Sequence, residues 1–154
     1  MIASFSGTAP LGKPMPSRSP KFALLDTSIY IENFRSGRFT FRLLHSPFII
    51  RCSAVVLHEL LRGAHTRTEQ KFVFELSRDC QVLTPTEQQW LKAAEILQRL
   101  RRRQHYDATK LRELAFDVLI ALSARSIGAA VITTNHADFR LIQREVSFQL
   151  MCWE

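Results

Sequence analysis

The chain has 154 residues, of which 46% are hydrophobic and 23% charged, as is ordinary for one globular domain with a substantial core. No apolar run approaches the ~20 residues of a membrane-spanning helix. The three cysteines form no CxxC pair, which argues against a zinc ribbon or a thioredoxin-like site. Unpaired cysteines of this kind fit a protein of the reducing cytoplasm. The net charge of +7 favours a polyanionic partner, with nucleic acid first and an anionic membrane second, although an acidic protein partner fits equally well.

Residues 1–20 differ in composition from the rest of the chain. They contain four of the six prolines and two of the five glycines, and they contain no acidic residue. They also lack the continuous apolar centre of a secretory signal. This composition predicts a flexible N-terminal arm over residues 1–20 and a single folded domain over residues 21–154.

From residue 22 onward, short apolar runs alternate with segments of helical periodicity. The apolar runs predict strands at 22–25, 48–50, 81–83, 130–132 and 148–151. The periodic segments predict helices at 27–34, 39–44, 54–62, 68–78, 87–103, 114–125 and 137–144. This alternation predicts an α/β fold in which helices flank a mostly parallel sheet of about four to five strands. The helix at 87–103 is expected to bury one face, formed by Trp90, Ala94, Leu97 and Leu100.

Three carboxylates lie alone in the most apolar segments of the chain. Asp26 ends the first strand, Glu59 lies within the helix at 54–62, and Asp117 interrupts the helix at 114–125. Acids are rarely buried without partners, because desolvating a carboxylate costs several kcal/mol. Arg62 and Arg125 could supply partners in structural ion pairs. Three acids in three separate core segments nevertheless favour a shared cation.

The carboxyl ends of the predicted parallel strands provide a place for such a site, because functional groups collect there in α/β sheets. Asp26 lies at the end of the first strand and Asn135 shortly after the fourth, and helices packed on the sheet can bring Glu59 and Asp117 to the same edge. Carboxylate and amide oxygens suit Mg²⁺ or Mn²⁺ and are poor ligands for zinc. We therefore predict a site in which a divalent ion binds a phosphate oxygen and activates water.

Hydroxyl side chains follow the same strand ends. Thr27 and Ser28 come directly after Asp26, and Thr133 ends the fourth strand. They are placed to donate hydrogen bonds to Asp26 and fix its orientation. Alternatively, Thr27 or Ser28 only caps the first helix, and Thr133 is only a turn residue.

The densest positive patch lies at the end of the helix at 87–103. It consists of Arg101, Arg102 and Arg103, with Lys110 and Arg112 nearby. Arginines near a helix C-terminus are favourable even as solvated residues, because they complement the helix dipole. As functional residues, the three arginines would hold the phosphates of a nucleic acid by charge and counterion release.

Four segments, LLDTS at 24–28, SAVVLHEL at 53–60, FDVLIA at 116–121 and TTNHADF at 133–139, resemble the PIN-domain ribonucleases in their order and context. The resemblance is specifically to the VapC-type toxins of bacterial toxin–antitoxin systems. It implies a PIN-like α/β/α sandwich in which Asp26, Glu59 and Asp117 bind Mg²⁺ or Mn²⁺. The family's fourth acidic position falls on Asn135, which lowers the charge of the site and leaves a second metal ion open. Asp138 then either supplies a carboxylate through a water or caps the following helix.

The same resemblance implies a function. The chain would be a Mg²⁺-dependent endoribonuclease that leaves a 3′-hydroxyl and a 5′-phosphate, acting as the toxin of a VapBC-type pair. A VapB-type antitoxin would be its partner, with a tail that lies across the acidic site and inserts an arginine there. The expected state is a homodimer in the cytoplasm, without membrane association.

Other functions fit the residues less well. A haloacid-dehalogenase-type phosphatase needs a second acid two positions after the first, where this chain has Ser28. A dinucleotide oxidoreductase is excluded because no GxGxxG follows any strand. A catalytically silent PIN-like module that binds RNA or protein remains the main alternative, and metal binding would distinguish it.

Overall fold

A five-stranded parallel sheet forms the centre of the structure, a computed structural model that describes residues 19–154. The strand order is β3-β2-β1-β4-β5, and every neighbouring pair is parallel. The strands are β1 (Phe22–Leu25), β2 (Ile49–Ser53), β3 (Val82–Leu83), β4 (Ala130–Thr133) and β5 (Gln149–Cys152). The predicted α/β fold with a mostly parallel sheet is therefore confirmed. The arm predicted for residues 1–20 falls almost entirely outside the described residues and stays a prediction.

Seven helices flank this sheet within residues 19–154. They are α1 (Thr27–Ser36), α2 (Thr40–Leu44), α3 (Ala54–Gly63), α4 (Arg67–Asp79), α5 (Glu87–Gln104), α6 (Ala108–Ser126) and α7 (His136–Gln143). In the same part of the chain, no helix has both the length and the apolarity required to cross a bilayer. The arrangement is the α/β/α sandwich that the resemblance implied.

The central strand β1 explains why an acid at its end is so well enclosed. Leu24 pairs with Arg51 of β2 on one side and Val131 of β4 on the other. The side chains of Ala23 and Leu24 are fully buried, as expected for a strand covered on both faces. Asp26 follows Leu25 directly, so its carboxylate lies at the carboxyl edge of the sheet, next to the core.

The start of α6 differs from the prediction. The helix begins at Ala108, six residues before the predicted position, and the Asp107 carboxylate caps it by accepting the Lys110 backbone N–H at 2.9 Å. The first turns of α6 are polar and largely exposed, so the apolar pattern could not reveal them. Leu114 and the run from Val118 to Ala124 are buried, which agrees with the central helix that the sequence predicts.

The buried face of α5 also differs from the prediction. The residues that it buries are Ala93, Ile96 and Leu100, whereas Trp90 is 51% exposed. These buried positions are spaced three and four residues apart, and the helix packs against α6. The prediction is confirmed for Leu100 and in part for Leu97, which is partly buried, and it is wrong for Trp90 and Ala94, which are exposed.

Candidate metal centre

Asp26 is the most enclosed acid of the site, with 5% of its surface exposed. Its Oδ2 accepts hydrogen bonds from the hydroxyls of Ser28, at 2.7 Å, and Thr133, at 2.8 Å. None of residues 19–154 donates a hydrogen bond to Oδ1. The two hydroxyls thus fix the plane of the carboxylate and leave one oxygen for a ligand.

Ser28 and Thr133 are themselves held by the backbone. The Ser28 hydroxyl oxygen accepts the N–H of Thr134 at 3.1 Å, and the Thr133 hydroxyl oxygen accepts the N–H of Asn135 at 2.9 Å. The turn after β4 therefore positions both hydroxyls. Neither Ser28 nor Thr27 caps α1 with its side chain, because the N-cap position is occupied by Asp26. The carboxylate of Asp26 makes no capping hydrogen bond either.

Glu59 reaches the same region from α3. Its Oε1 accepts a hydrogen bond from the Thr27 hydroxyl at 2.9 Å, so Thr27 orients Glu59 rather than Asp26. The sequence placed Thr27 in the right site but next to the wrong acid. Burial raises the pKa of Glu59, the Thr27 bond lowers it, and the charge of Asp26 raises it further.

Asp117 lies on α6 and completes the cluster. Burial, followed by the charges of Asp26, Glu59 and Asp138, raises its pKa to about 8, while Lys110 opposes the shift. Charges alter a neighbour's pKa strongly only at short range. The cluster thus brings together all three acids that the sequence singled out. Within residues 19–154, no group donates a hydrogen bond to the Asp117 carboxylate.

The chemistry of these donors fits Mg²⁺ or Mn²⁺. The mutually repelling acids all offer hard oxygen ligands, and a divalent cation would relieve the repulsion that raises the pKa of Asp117. In the described part of the chain, no three acids, histidines or cysteines already surround one point at coordinating distance. Mg²⁺ needs only one or two carboxylates, because it keeps several waters. Asp26 Oδ1 and the Asp117 carboxylate meet that requirement, with Glu59 beside them.

The sequence profile described as the PIN domain matches residues 23–145 of this chain. The chain belongs to the PIN-domain family. The match covers β1 through α7 and so includes every acid of the site. PIN domains are in general nucleases, which agrees with an acidic, oxygen-lined site at the carboxyl edge of the sheet.

Several solved structures resemble the chain in fold. VapBC-1 of nontypeable Haemophilus influenzae has 23% identity and a TM-score of 0.64, with 86% of this chain and 98% of that chain covered. DNA-bound VapBC of Salmonella typhimurium has 23% identity and a TM-score of 0.61, with the same coverage. FitAcB of Neisseria gonorrhoeae has 18% identity and a TM-score of 0.61, with 84% and 96% covered. No curated protein is a significant match. At these identities the structural likeness shows a shared fold alone.

Asn135, Asp138 and Lys110 form one connected group beside the acids. Asn135 occupies the N-cap of α7, where its Oδ1 accepts the Asp138 backbone N–H, and its Nδ2 donates to Asp138 Oδ2 at 3.0 Å. The Lys110 ammonium donates to both oxygens of Asp138, at 2.8 and 3.0 Å. Asp138 is thus an ion-paired carboxylate and not the helix cap.

Lys110 is the residue of this site that the sequence did not single out. It was grouped with the basic patch because of its charged neighbours. Its spacing held the missing signal: Lys110 precedes Asp117 by seven residues, which is two helical turns, so both lie on the same face of α6.

The three arginines of the basic patch differ in their surroundings. Arg103 and Arg99 both form ion pairs with Glu145, whose side chain is only 4% exposed. Arg101 and Arg102 are exposed and form no ion pair with any of residues 19–154. The structure places Arg103 in a contact that anchors α5. It brings none of the three arginines into hydrogen-bond contact with the acidic site.

If the acids only formed structural ion pairs, Arg62 and Arg125 would have to be their partners. Arg62 lies 5.7 Å from the centre of the Phe116 ring, and neither Arg62 nor Arg125 forms an ion pair with an acid of the described chain. The charge of Arg62 only slightly offsets the raised pKa of Glu59. Lys110 is the only cation paired with an acid of the site within residues 19–154.

Proposed function

We propose that the protein is a Mg²⁺- or Mn²⁺-dependent endoribonuclease and the toxin of a VapBC-type toxin–antitoxin pair. The observation that carries this proposal is the convergence of Asp26, Glu59 and Asp117 at the carboxyl edge of a PIN-domain sheet. Burial, together with the charges of the neighbouring acids, raises the pKa of Asp117 to about 8. A divalent cation would stabilise the ionised form of such a cluster.

The proposed mechanism assigns distinct tasks to the residues of the site. Asp26 Oδ1 and the Asp117 carboxylate would hold the ion, and Glu59 would contribute a third oxygen ligand or position a water. Ser28 and Thr133 keep Asp26 in one orientation, and Thr27 does so for Glu59. When bound, the divalent ion lowers the pKa of a water and offsets negative charge at the phosphate.

The proposed substrate is RNA. The net charge of +7 supports a polyanion, and Arg101 and Arg102 are exposed cations available to phosphates. Hydrolysis by an activated water involves no covalent enzyme intermediate and would leave a 3′-hydroxyl and a 5′-phosphate. Such a protein would act in the cytoplasm, where its substrate is.

A groove beside the acids supports an antitoxin partner. It is a cavity of about 130 Å³ between α1, α3 and α4, with an apolar lining that includes Tyr30, Phe34 and Phe72, and Glu59 on its wall. A segment with apolar side chains in this groove would extend over the acidic site. Structures similar to this chain are described as VapBC, and one of them as a member of the VapBC family of toxin-antitoxin systems, which supports a VapB-type partner here. The proposed state of the protein is a homodimer.

One observation favours the alternative of a catalytically silent module that binds RNA or protein. No three ligands of the described chain are already arranged at coordinating distance. Binding of Mn²⁺ separates the two hypotheses, because a silent module has no need of the ion.

Cleavage of a broad RNA pool tests the proposal. The purified protein is incubated with Mg²⁺, with Mn²⁺ or with EDTA, and the ends of the products are analysed. We expect cleavage with either ion, none with EDTA, and 5′-phosphate ends that accept a label only after phosphatase treatment. Cleavage that persists in EDTA or leaves cyclic phosphates contradicts the metal-activated water.

A further inference from the structure

Lys110 is partly exposed, yet its ammonium is bound to a carboxylate of the acidic site. Its ammonium donates to both oxygens of Asp138, at 2.8 and 3.0 Å, and Asn135 adds a third donor at 3.0 Å. Both oxygens of Asp138 are therefore used. The carboxylate is only 19% exposed, so these bonds replace water rather than compete with it.

The ammonium also lies close to the remaining acids. Lys110 and Asp117 share one face of α6, and their charges interact, as do those of Asp138 and Asp117. One positive side chain thus lies among acids that together carry four negative charges when ionised: Asp26, Glu59, Asp117 and Asp138. Asn135 adds no charge.

We propose that the Lys110 ammonium is a fixed cation at the position where a second divalent ion would bind, so that the site takes one metal ion, held by Asp26 and Asp117 with Glu59 beside them. This inference rests on the proposed function. It assigns Lys110 as a positioning residue that sets the metal stoichiometry.

The charge balance of the site supports this assignment. With Lys110 present, one divalent ion leaves a single negative charge among the four acids, whereas a second ion would leave an excess positive charge. Without Lys110, one ion would leave two negative charges, and a second ion would neutralise the site. Unpaired charges in a poorly solvated cluster are costly, so each case favours a different number of ions. A lysine ammonium carries a compact charge and three N–H donors, which suits the two oxygens of the Asp138 carboxylate.

A purely structural role makes a different prediction. If the ion pair only ties α6 to α7, loss of Lys110 would lower stability and leave metal binding unchanged. The number of bound ions therefore distinguishes the two roles, and it does not depend on RNA cleavage.

The experiment is a titration of the full chain with Mn²⁺, followed by electron paramagnetic resonance of the free ion. We expect one bound Mn²⁺ per chain in the wild type and two in Lys110→Met. Lys110→Arg, which keeps the positive charge, should bind one. In Lys110→Met with Asp138→Asn, the count should return to one, because the second position loses its ligand.

Lys92→Met is the matched control, since Lys92 is an exposed lysine of α5 that pairs with Glu95. It should bind one ion, like the wild type. If Lys110→Met does not fold, as judged by circular dichroism, Lys110→Gln carries the same expectation. Two ions in the wild type, or one ion in the folded variant that lacks the charge, Lys110→Met or Lys110→Gln, would overturn the inference and leave the nuclease proposal intact. No Mn²⁺ bound by the wild type would instead contradict the proposed function itself.

Discussion

The Thr27 hydroxyl donates to Glu59 Oε1 at 2.9 Å and joins the first residue of α1 to the middle of α3. The bond spans 32 positions in the sequence, and it selects one orientation of a half-buried carboxylate. Together with the two hydroxyls on Asp26, it means that each of two acids is held by hydroxyl groups rather than by a basic side chain. A site arranged in this way keeps its negative charge available for a cation.

Thr27→Val should weaken Mn²⁺ binding by about 10-fold, because loss of an orienting hydrogen bond typically costs a metal site 10- to 100-fold in affinity. Thr27→Ser is the matched control, since it keeps the hydroxyl, and it should bind like the wild type. Calorimetric titration of the three proteins measures the effect. Equal affinity of Thr27→Val and the wild type would show that Glu59 does not depend on this bond.

Asp117→Asn should stabilise the metal-free protein in a pH-dependent way. The folded chain raises the pKa of Asp117 from 3.8 to about 8, so folding takes up a proton between these two values and stability falls as the pH rises through that window. An amide cannot ionise and escapes this loss. We expect a gain in the free energy of unfolding that is small at pH 4 and reaches about 1–3 kcal/mol above pH 8.

Urea denaturation in EDTA at pH 4, 7 and 9 measures this gain. Asp79→Asn, at the exposed end of α4, serves as the control and should show little change with pH. The same coupling predicts that Mn²⁺ affinity rises with pH up to about 8, because the ion displaces the proton of Asp117. A stability gain that is equal at pH 4 and pH 9 would refute the assigned cause.

Replacing Arg101 and Arg102 together by glutamine should weaken RNA binding and make it less dependent on salt. Removing one arginine–phosphate interaction lowers the slope of log affinity against log salt by about 0.7 for a single strand. Fluorescence anisotropy at several salt concentrations measures both quantities. An unchanged slope would show that this end of α5 faces away from the RNA.

Glu145→Gln should lower the free energy of unfolding by about 1–3 kcal/mol, because it removes a buried charge that pairs with Arg99 and Arg103. Glu95→Gln is the matched control: it breaks the Lys92 pair, whose two side chains are about half exposed, and should cost less than about 0.5 kcal/mol. Thermal or urea denaturation compares them. Similar destabilisation of both variants would mean that Glu145 anchors nothing.

The acids could be predicted from the sequence because each is an anomaly in an apolar run. Asp26, Glu59 and Asp117 interrupt segments that otherwise form the core, and the strand ends gather Asp26 and Asn135 at one edge of the sheet. The hydroxyls were predicted in place, but Thr27 was assigned to the wrong acid. The direction of a side chain two residues after a strand depends on where the helix begins, and the sequence pattern does not fix that.

The ion pairs could not be predicted from the sequence alone. Lys110 binds an acid 28 positions away and Arg99 one 46 positions away, so no local pattern connects them. Both basic residues also lie among other charged residues, where a single important cation is not conspicuous. The early start of α6 could not be predicted either, because its first turns are polar and solvent-facing and show no apolar pattern.

The most direct test of the central claim compares RNA cleavage by the wild type and Asp26→Asn in Mg²⁺, with circular dichroism of both proteins. The amide is nearly isosteric and can still accept the bonds from Ser28 and Thr133, so the variant should fold. We expect metal-dependent cleavage by the wild type and none by Asp26→Asn. Undiminished cleavage by a folded Asp26→Asn would contradict a nuclease built on this acidic metal centre.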